Sequence, residues 1–87
     1  MRSNILKALA NPVRLQLLTC LSKGPRNVTQ LISNCGLSQS AVSQHLEKLR
    51  QAGLVSSRRD GKEIFYQLTS KKTAKISSLL QNFLKDS

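Results

Sequence analysis

Acidic residues are scarce in this chain. Only Glu47, Asp60, Glu63 and Asp86 stand against 14 Lys+Arg in 87 residues, and the first 46 positions hold none. The scattered carboxylates and one histidine, His45, supply no paired acid and base, no nucleophile triad and no metal cluster, which argues against an enzyme. Cysteine is limited to Cys20 and Cys35, too few for the disulfide framework of a small secreted domain. No apolar run approaches the ~18 residues of a membrane span. The opening Met-Arg-Ser-Asn enters an amphipathic stretch without an apolar signal region. These absences leave a small cytoplasmic protein that is neither membrane-bound nor dependent on a cofactor.

The hydrophobic content, 39%, is too high for a disordered tail. A chain of this size forms one domain, expected over residues 1–87, and buries only roughly 60–65% of its unfolded surface, leaving little room for a deep catalytic pocket. The net charge of +10 points to a polyanionic partner, with double-stranded DNA the first expectation. The charge is spread rather than massed in a tail. Arg2, Lys7, Arg14, Lys23 and Arg26 lie in the acid-free half, Arg58, Arg59 and Lys62 form a second group, and Lys71, Lys72 and Lys75 a third. A merely soluble surface mixes both signs more evenly.

The punctuation along the chain is regular. A first short helix around Ser3 to Ala10 carries Ile5, Leu6 and Leu9. Asn11-Pro12 starts the next, because Asn accepts a free N–H at the N-cap and Pro suits the first helical position. Its apolar stripe reads Val13, Leu17, Cys20 and Leu21, with Leu18 beside it, and Gly24-Pro25 stops it. Asn27 opens a third helix with Gln30 as its capping-box partner, and Cys35-Gly36 closes it. Ser38 caps a fourth helix running from Gln39 to about Ala52, with Val42, Leu46 and Leu49 on one face and Gly53 at its end.

The period then changes. Leu54 to Arg59 reads as a strand, Asp60-Gly61 as a two-residue turn of the type I′ kind, and Glu63 to Leu68 as the return strand. One face of this hairpin must pack on the helices, with the aromatics Phe65 and Tyr66 expected in the core. Thr69 or Ser70 caps a last helix whose Ile76, Leu79, Leu80, Phe83 and Leu84 follow clean helical spacing. The fold class is therefore mainly α with a β-hairpin wing, in the order four helices, two strands, one helix: a winged helix-turn-helix.

The fourth helix is the candidate reader of DNA. Opposite its buried face lie Gln39, Ser40, Ser43 and Gln44, short or amide side chains that can approach base edges closely. As isolated helix residues they would be ordinary solvated surface; the adjoining hairpin and the charge favour base reading. Ser38, His45, Arg58, Arg59 and Lys62 are candidates for phosphate or minor-groove contacts. His45, beside the apolar stripe, is expected to be partly buried and hydrogen-bonded rather than a metal ligand. Basic residues on a hairpin also protect a sheet edge from aggregation, a role compatible with DNA contact.

Four segments together carry a family likeness: Ala8-Leu9-Ala10-Asn11-Pro12-Val13-Arg14-Leu15, Leu37-Ser38-Gln39-Ser40-Ala41-Val42-Ser43-Gln44-His45-Leu46, Leu49-Arg50-Gln51-Ala52-Gly53-Leu54-Val55, and Arg59-Asp60-Gly61-Lys62-Glu63-Ile64-Phe65-Tyr66. Over nearly its whole length the chain resembles the ArsR/SmtB family of bacterial transcriptional repressors. The resemblance implies a homodimeric winged-helix repressor on a palindromic operator, released by an inducer, with the first and last helices (residues 1–10 and 70–85) forming the dimer interface. Ile5, Leu6, Leu9, Ile76, Leu79, Leu80, Phe83 and Leu84 are the candidate contacts. An apolar stripe too broad for so short a chain to cover points the same way.

The family's sensing sites match poorly. Where many members place a Cys-x-Cys metal pair, this chain has Asn27 and Thr29, which offer no thiolate. Where others bind zinc in the last helix, Lys71 to Lys85 contains no His, Asp or Glu, and only Asp86 follows. No metal site is expected. Some members sense oxidants through one Cys in the second helix and one in the last. Here Cys20 is in the second helix, but the other Cys, Cys35, ends the third. A disulfide between them needs Cα atoms within about 7 Å. A buried structural Cys20 is the simpler expectation, and redox sensing by Cys20 and Cys35 the alternative. A winged-helix module that binds protein or RNA is the alternative function.

Overall fold

The computed structural model describes residues 3–85; Arg2 and Asp86, counted among the charges above, lie outside the described residues. The elements run α1 (Ser3–Leu9), α2 (Pro12–Leu21), β1 (Arg26–Asn27), α3 (Val28–Cys35), α4 (Gln39–Gln51), β2 (Val55–Asp60), β3 (Glu63–Leu68) and α5 (Lys71–Lys85). The architecture is the predicted winged helix-turn-helix with one addition. The two residues of β1 pair antiparallel with β3, Arg26 opposite Tyr66 and Asn27 opposite Phe65, giving a three-stranded sheet in the order β1-β3-β2. Two residues have no period to read, so this strand leaves no hydropathy signal.

Local chemistry sets the helix ends. Asn11 Oδ1 accepts from the Val13 and Arg14 N–H groups at 2.9 and 3.1 Å. Asn27 and Gln30 form the reciprocal capping box, at 2.7 and 2.9 Å. The α3–α4 turn depends on Gly36, whose φ of 68° lies in the left-handed region. Leaving α4, Gly53 N–H bonds Arg50 O and Leu54 N–H bonds Leu49 O, both at 3.0 Å, so the chain departs in a Schellman turn directly into the wing. The Thr69 hydroxyl and N–H then bond Gly53 O and Leu54 O, tying the far end of the wing to the exit of α4.

α2 is the central helix, packed by α1, α3, α4 and α5. Its buried residues are Leu15, Leu17, Leu18 and Leu21, while Val13 and Cys20 of the predicted stripe are only half-buried. A helix with neighbours on several sides buries more than one stripe, so one-sided periodicity misplaced the centre. Ala8, Leu31, Cys35, Val42, Leu46, Leu49, Leu54 and Val55 join the α2 leucines in the core. At about 1.5–3 kcal/mol for each buried aliphatic side chain, the three from α4 hold that helix firmly.

Two further expectations are corrected. The wing turn places Gly61 and Lys62, not Asp60 and Gly61, between the paired Asp60 and Glu63. Only Gly61 has positive φ, 67°, which fits type II′ rather than type I′. Tyr66 packs against the core, whereas Phe65 lies on the other sheet face, where Arg58 covers its ring with the guanidinium carbon 5.8 Å from the centroid. α5 turns its apolar stripe outward, apart from half-buried Leu80. Its buried residues are Thr73 and Ser77, the latter fully, whereas Leu79 and Phe83 are 69% and 73% exposed. The Thr19 hydroxyl donates to Gln81 Oε1 at 2.6 Å across the α2–α5 contact. Thr73, Ser77 and Gln81 recur every four residues, a polar seam beside the louder apolar one.

Candidate nucleic-acid interface

Burial of Val42, Leu46 and Leu49 fixes the rotation of α4 about its axis. Gln39, Ser40, Ser43 and Gln44 are left exposed along its leading half. This face carries amide and hydroxyl donors and acceptors and no charge, the chemistry that can pair with base edges. Ser38 heads the helix with its Oγ accepting the Ala41 N–H at 3.2 Å, which leaves the hydroxyl proton free to donate outward. Behind the leading face, Glu47 takes two bonds from Arg50, at 3.1 and 2.6 Å, and one from Gln51 at 3.2 Å. The Arg50 hydrogen bonds hold the Glu47 carboxyl below its ordinary range. The single acid of α4 is thus neutralised within its own helix.

His45 is half-buried. Burial foremost, then the charges of Arg14 and Lys48, push its pKa below 6.5. Arg14 Nη1 stands 3.2 Å from His45 Nδ1. Guanidinium only donates, so Nδ1 accepts and the ring proton of the neutral imidazole sits on Nε2. Sequence reading placed Arg14 with the general basic surface. Its structural role has a weak signal, an Arg in the first turn after Asn11-Pro12, close in sequence to the end of α1.

In the wing, Arg58, Arg59 and Lys62 are all exposed. Successive strand residues face opposite sides, so Arg58 and Arg59 are not equivalent. Arg58 is engaged by Phe65 and, loosely at 3.9 Å, by Asp60. Arg59 stands opposite Ile64, on the other face. Asn27 Nδ2 donates to Glu63 Oε1 at 2.8 Å, bracing the start of α3 against the wing.

The residues expected at a dimer contact divide in two. Ile5, Leu6, Ile76, Leu79, Phe83 and Leu84 are exposed, on α1 and α5. Leu9 and Leu80 are instead half-buried within the chain and line an apolar cavity of about 270 Å³ beside Leu15 and Phe83. Cys20 and Cys35 form a disulfide whose Cα atoms are 6.6 Å apart. The simpler expectation of a buried, unpaired Cys20 is corrected, because the α2–α3 packing brings together two thiols 15 residues apart. Among the described residues no three His, Cys, Asp or Glu side chains gather into a metal-binding group, and no helix is long and apolar enough to cross a membrane.

Residues 11–57 match the family described as "Bacterial regulatory protein, arsR family". The chain is 42% identical over 78 residues to the biofilm growth-associated repressor of Xylella fastidiosa, covering 90% of this chain and 68% of that protein. It is 45% identical over 76 residues to the transcriptional activator HlyU of Vibrio cholerae, covering 87% of this chain and 70% of that protein. Among solved structures it resembles the homodimeric winged helix-turn-helix DNA-binding domain Mb0332 of Mycobacterium bovis. That similarity has a TM-score of 0.81 and 32% identity, and covers 97% of this chain and 78% of the other.

Proposed function

The chain belongs to the arsR family of bacterial regulatory proteins and is a DNA-binding transcriptional regulator rather than an enzyme; on that premise we propose that it represses as a homodimer on a palindromic operator, without a resident metal. The observation that carries this reading is the exposed, uncharged leading face of α4, held in place by three buried residues. Gln39, Ser40, Ser43 and Gln44 read bases. Ser38, the Nε2–H of His45, Arg59 and Lys62 contact the backbone or minor groove, with Arg58 in support from the opposite wing face.

The outward apolar side of α5, together with Ile5 and Leu6 of α1, supports a second copy as the partner. The Mycobacterium bovis domain of the same fold is described as homodimeric. Asn27 spends its side chain on the capping box and on Glu63, which supports operation without a metal at that position. Selection of bound sequences from random double-stranded DNA tests the reading. We expect one palindrome with half-sites about 34–36 Å apart, and an affinity unmoved by added zinc or by chelator. Recovery of no preferred sequence would overturn it.

The disulfide favours a second reading, in which thiol chemistry adjusts repression. Cys35 is the last residue of α3, just before the Gly36 turn into α4, so the bond anchors the entry to the reading helix onto α2. With a low-molecular-weight disulfide as oxidant, one protein thiolate forms a mixed disulfide and releases one small thiol. The second protein thiolate then displaces the other, so two protein thiols become one disulfide. Operator affinity that differs between dithiothreitol and glutathione disulfide, and no longer differs in Cys20→Ser, is the expected result; equal affinity in both would discard this reading.

A further inference from the structure

We propose that Arg14 is a positioning residue that couples the dimer-forming helix to the DNA-reading helix and thereby sets the half-site spacing the protein accepts. The inference rests on the homodimer reading above. Arg14 lies in the first turn of α2 and reaches two other helices at once. Its Nε–H donates to Ala8 O at 2.9 Å and an Nη2–H to Lys7 O at 2.9 Å, both in the last turn of α1. Its Nη1 meets His45 on α4 at 3.2 Å.

Each contact has its own physical reason. The last carbonyls of a helix have no partner in the helix, and the C-terminal end carries negative partial charge. A guanidinium there satisfies two carbonyls and complements that charge. At seven residues, α1 is too short to be stable by propensity and needs such an anchor, along with buried Ala8. The third contact falls on the residue next to Gln44. The arginine therefore spans the cleft between α1 and α4, whose lining includes Lys7, Ala8, Arg14 and Lys48.

The consequence concerns geometry rather than affinity. α1 shows Ile5 and Leu6 to a partner, with Leu6 71% exposed, while α4 shows its amides to DNA. In a two-fold dimer, the angle between these helices determines how far apart the two leading faces stand. A planar fork fixed to three acceptors holds that angle, whereas a lysine ammonium is one flexible point charge and cannot.

The test varies the operator, not only the protein. Operators with half-sites at the selected spacing, or one or two base pairs longer or shorter, are titrated with wild type and with Arg14→Gln, Arg14→Lys, His45→Leu and His45→Asn. Wild type is expected to prefer one spacing. Arg14→Gln and His45→Leu are expected to reduce that preference about ten-fold. Arg14→Gln should keep its affinity ratio for a half-site over random DNA, whereas His45→Leu, which also loses the Nε2–H contact, should bind every DNA more weakly, so its preference is read as the ratio between spacings. Arg14→Lys should fail to restore it. His45→Asn should retain it, because an amide oxygen can replace Nδ1 as acceptor. If Arg14→Gln does not fold, as judged by circular dichroism, His45→Leu decides. An unchanged spacing preference in these variants overturns the inference and leaves the dimer reading standing. A wild type indifferent to spacing overturns both.

Discussion

α4 and α5 look alike as sequence and are used in opposite senses. Both are amphipathic helices with apolar residues at helical spacing. In α4 the apolar side faces inward, through Val42, Leu46 and Leu49, and the polar side is left exposed. In α5 Thr73 and Ser77 are buried, and Ile76, Leu79, Phe83 and Leu84 face outward. Amphipathicity therefore shows that a helix has two different environments, but not which of them is the chain's own core. The α5 face against α2 holds the polar residues Thr73, Ser77 and Gln81. Ser77 Oγ bonds Ala74 O at 3.0 Å, so its burial leaves no orphaned hydroxyl.

The comparison can be broken most directly on α5. Leu79→Glu combined with Phe83→Glu should leave the monomer folded, since both side chains are mostly exposed within it. Sedimentation should then show monomer, and operator affinity should fall about 10²–10⁴-fold as two-site binding is lost. A dimer that survives both charges would remove the distinction between the helices. On α4 the same logic reverses. Leu46→Ala should cost about 2–5 kcal/mol in denaturant unfolding, because its side chain is fully enclosed, whereas Leu79→Ala should scarcely change monomer stability.

A smaller effect separates the reading face from the wing. Gln44→Ala should weaken operator binding by about 1–3 kcal/mol and leave random-DNA binding nearly unchanged. Arg59→Ala should weaken both and reduce the salt slope by about one. Equal losses on both DNAs for Gln44→Ala would exclude it as a base reader. The smallest expected effect is that of pH. The folded state holds the His45 pKa below 6.5, through burial and the charges of Arg14 and Lys48. The unfolded chain then binds the proton more readily, so the stability from neutral His45 is present above about pH 6.5 and lost as pH falls through the depressed value. His45→Asn should flatten that decline in thermal melts between pH 7 and 5.

The charge pattern gains a division of labour from the same comparison. The net charge of +10 suits encounter with, and general attraction to, a polyanion. In the function proposed above, specificity falls to the neutral amides and hydroxyls of α4, whose single acid, Glu47, is engaged by Arg50. The two wing arginines, equivalent as a sequence pair, separate into Arg58 against Phe65 and Arg59 on the opposite face.

The sequence by itself determined the helix boundaries, the helix-turn-helix, the hairpin and the exposed face of α4. Each of these is set by hydrogen bonds spanning three or four residues, or by a period that one element contains: Asn11, Asn27 and Ser38 cap their own helices, and Gly36 supplies its own turn. Tertiary structure alone decided the pairing of Arg26 with Tyr66, the Cys20–Cys35 bond, the reach of Arg14 to His45 and the burial of Thr73 and Ser77 on α5. These join residues far apart in the chain or depend on which neighbour covers a face. Their free energy comes from packing against partners that no local pattern names.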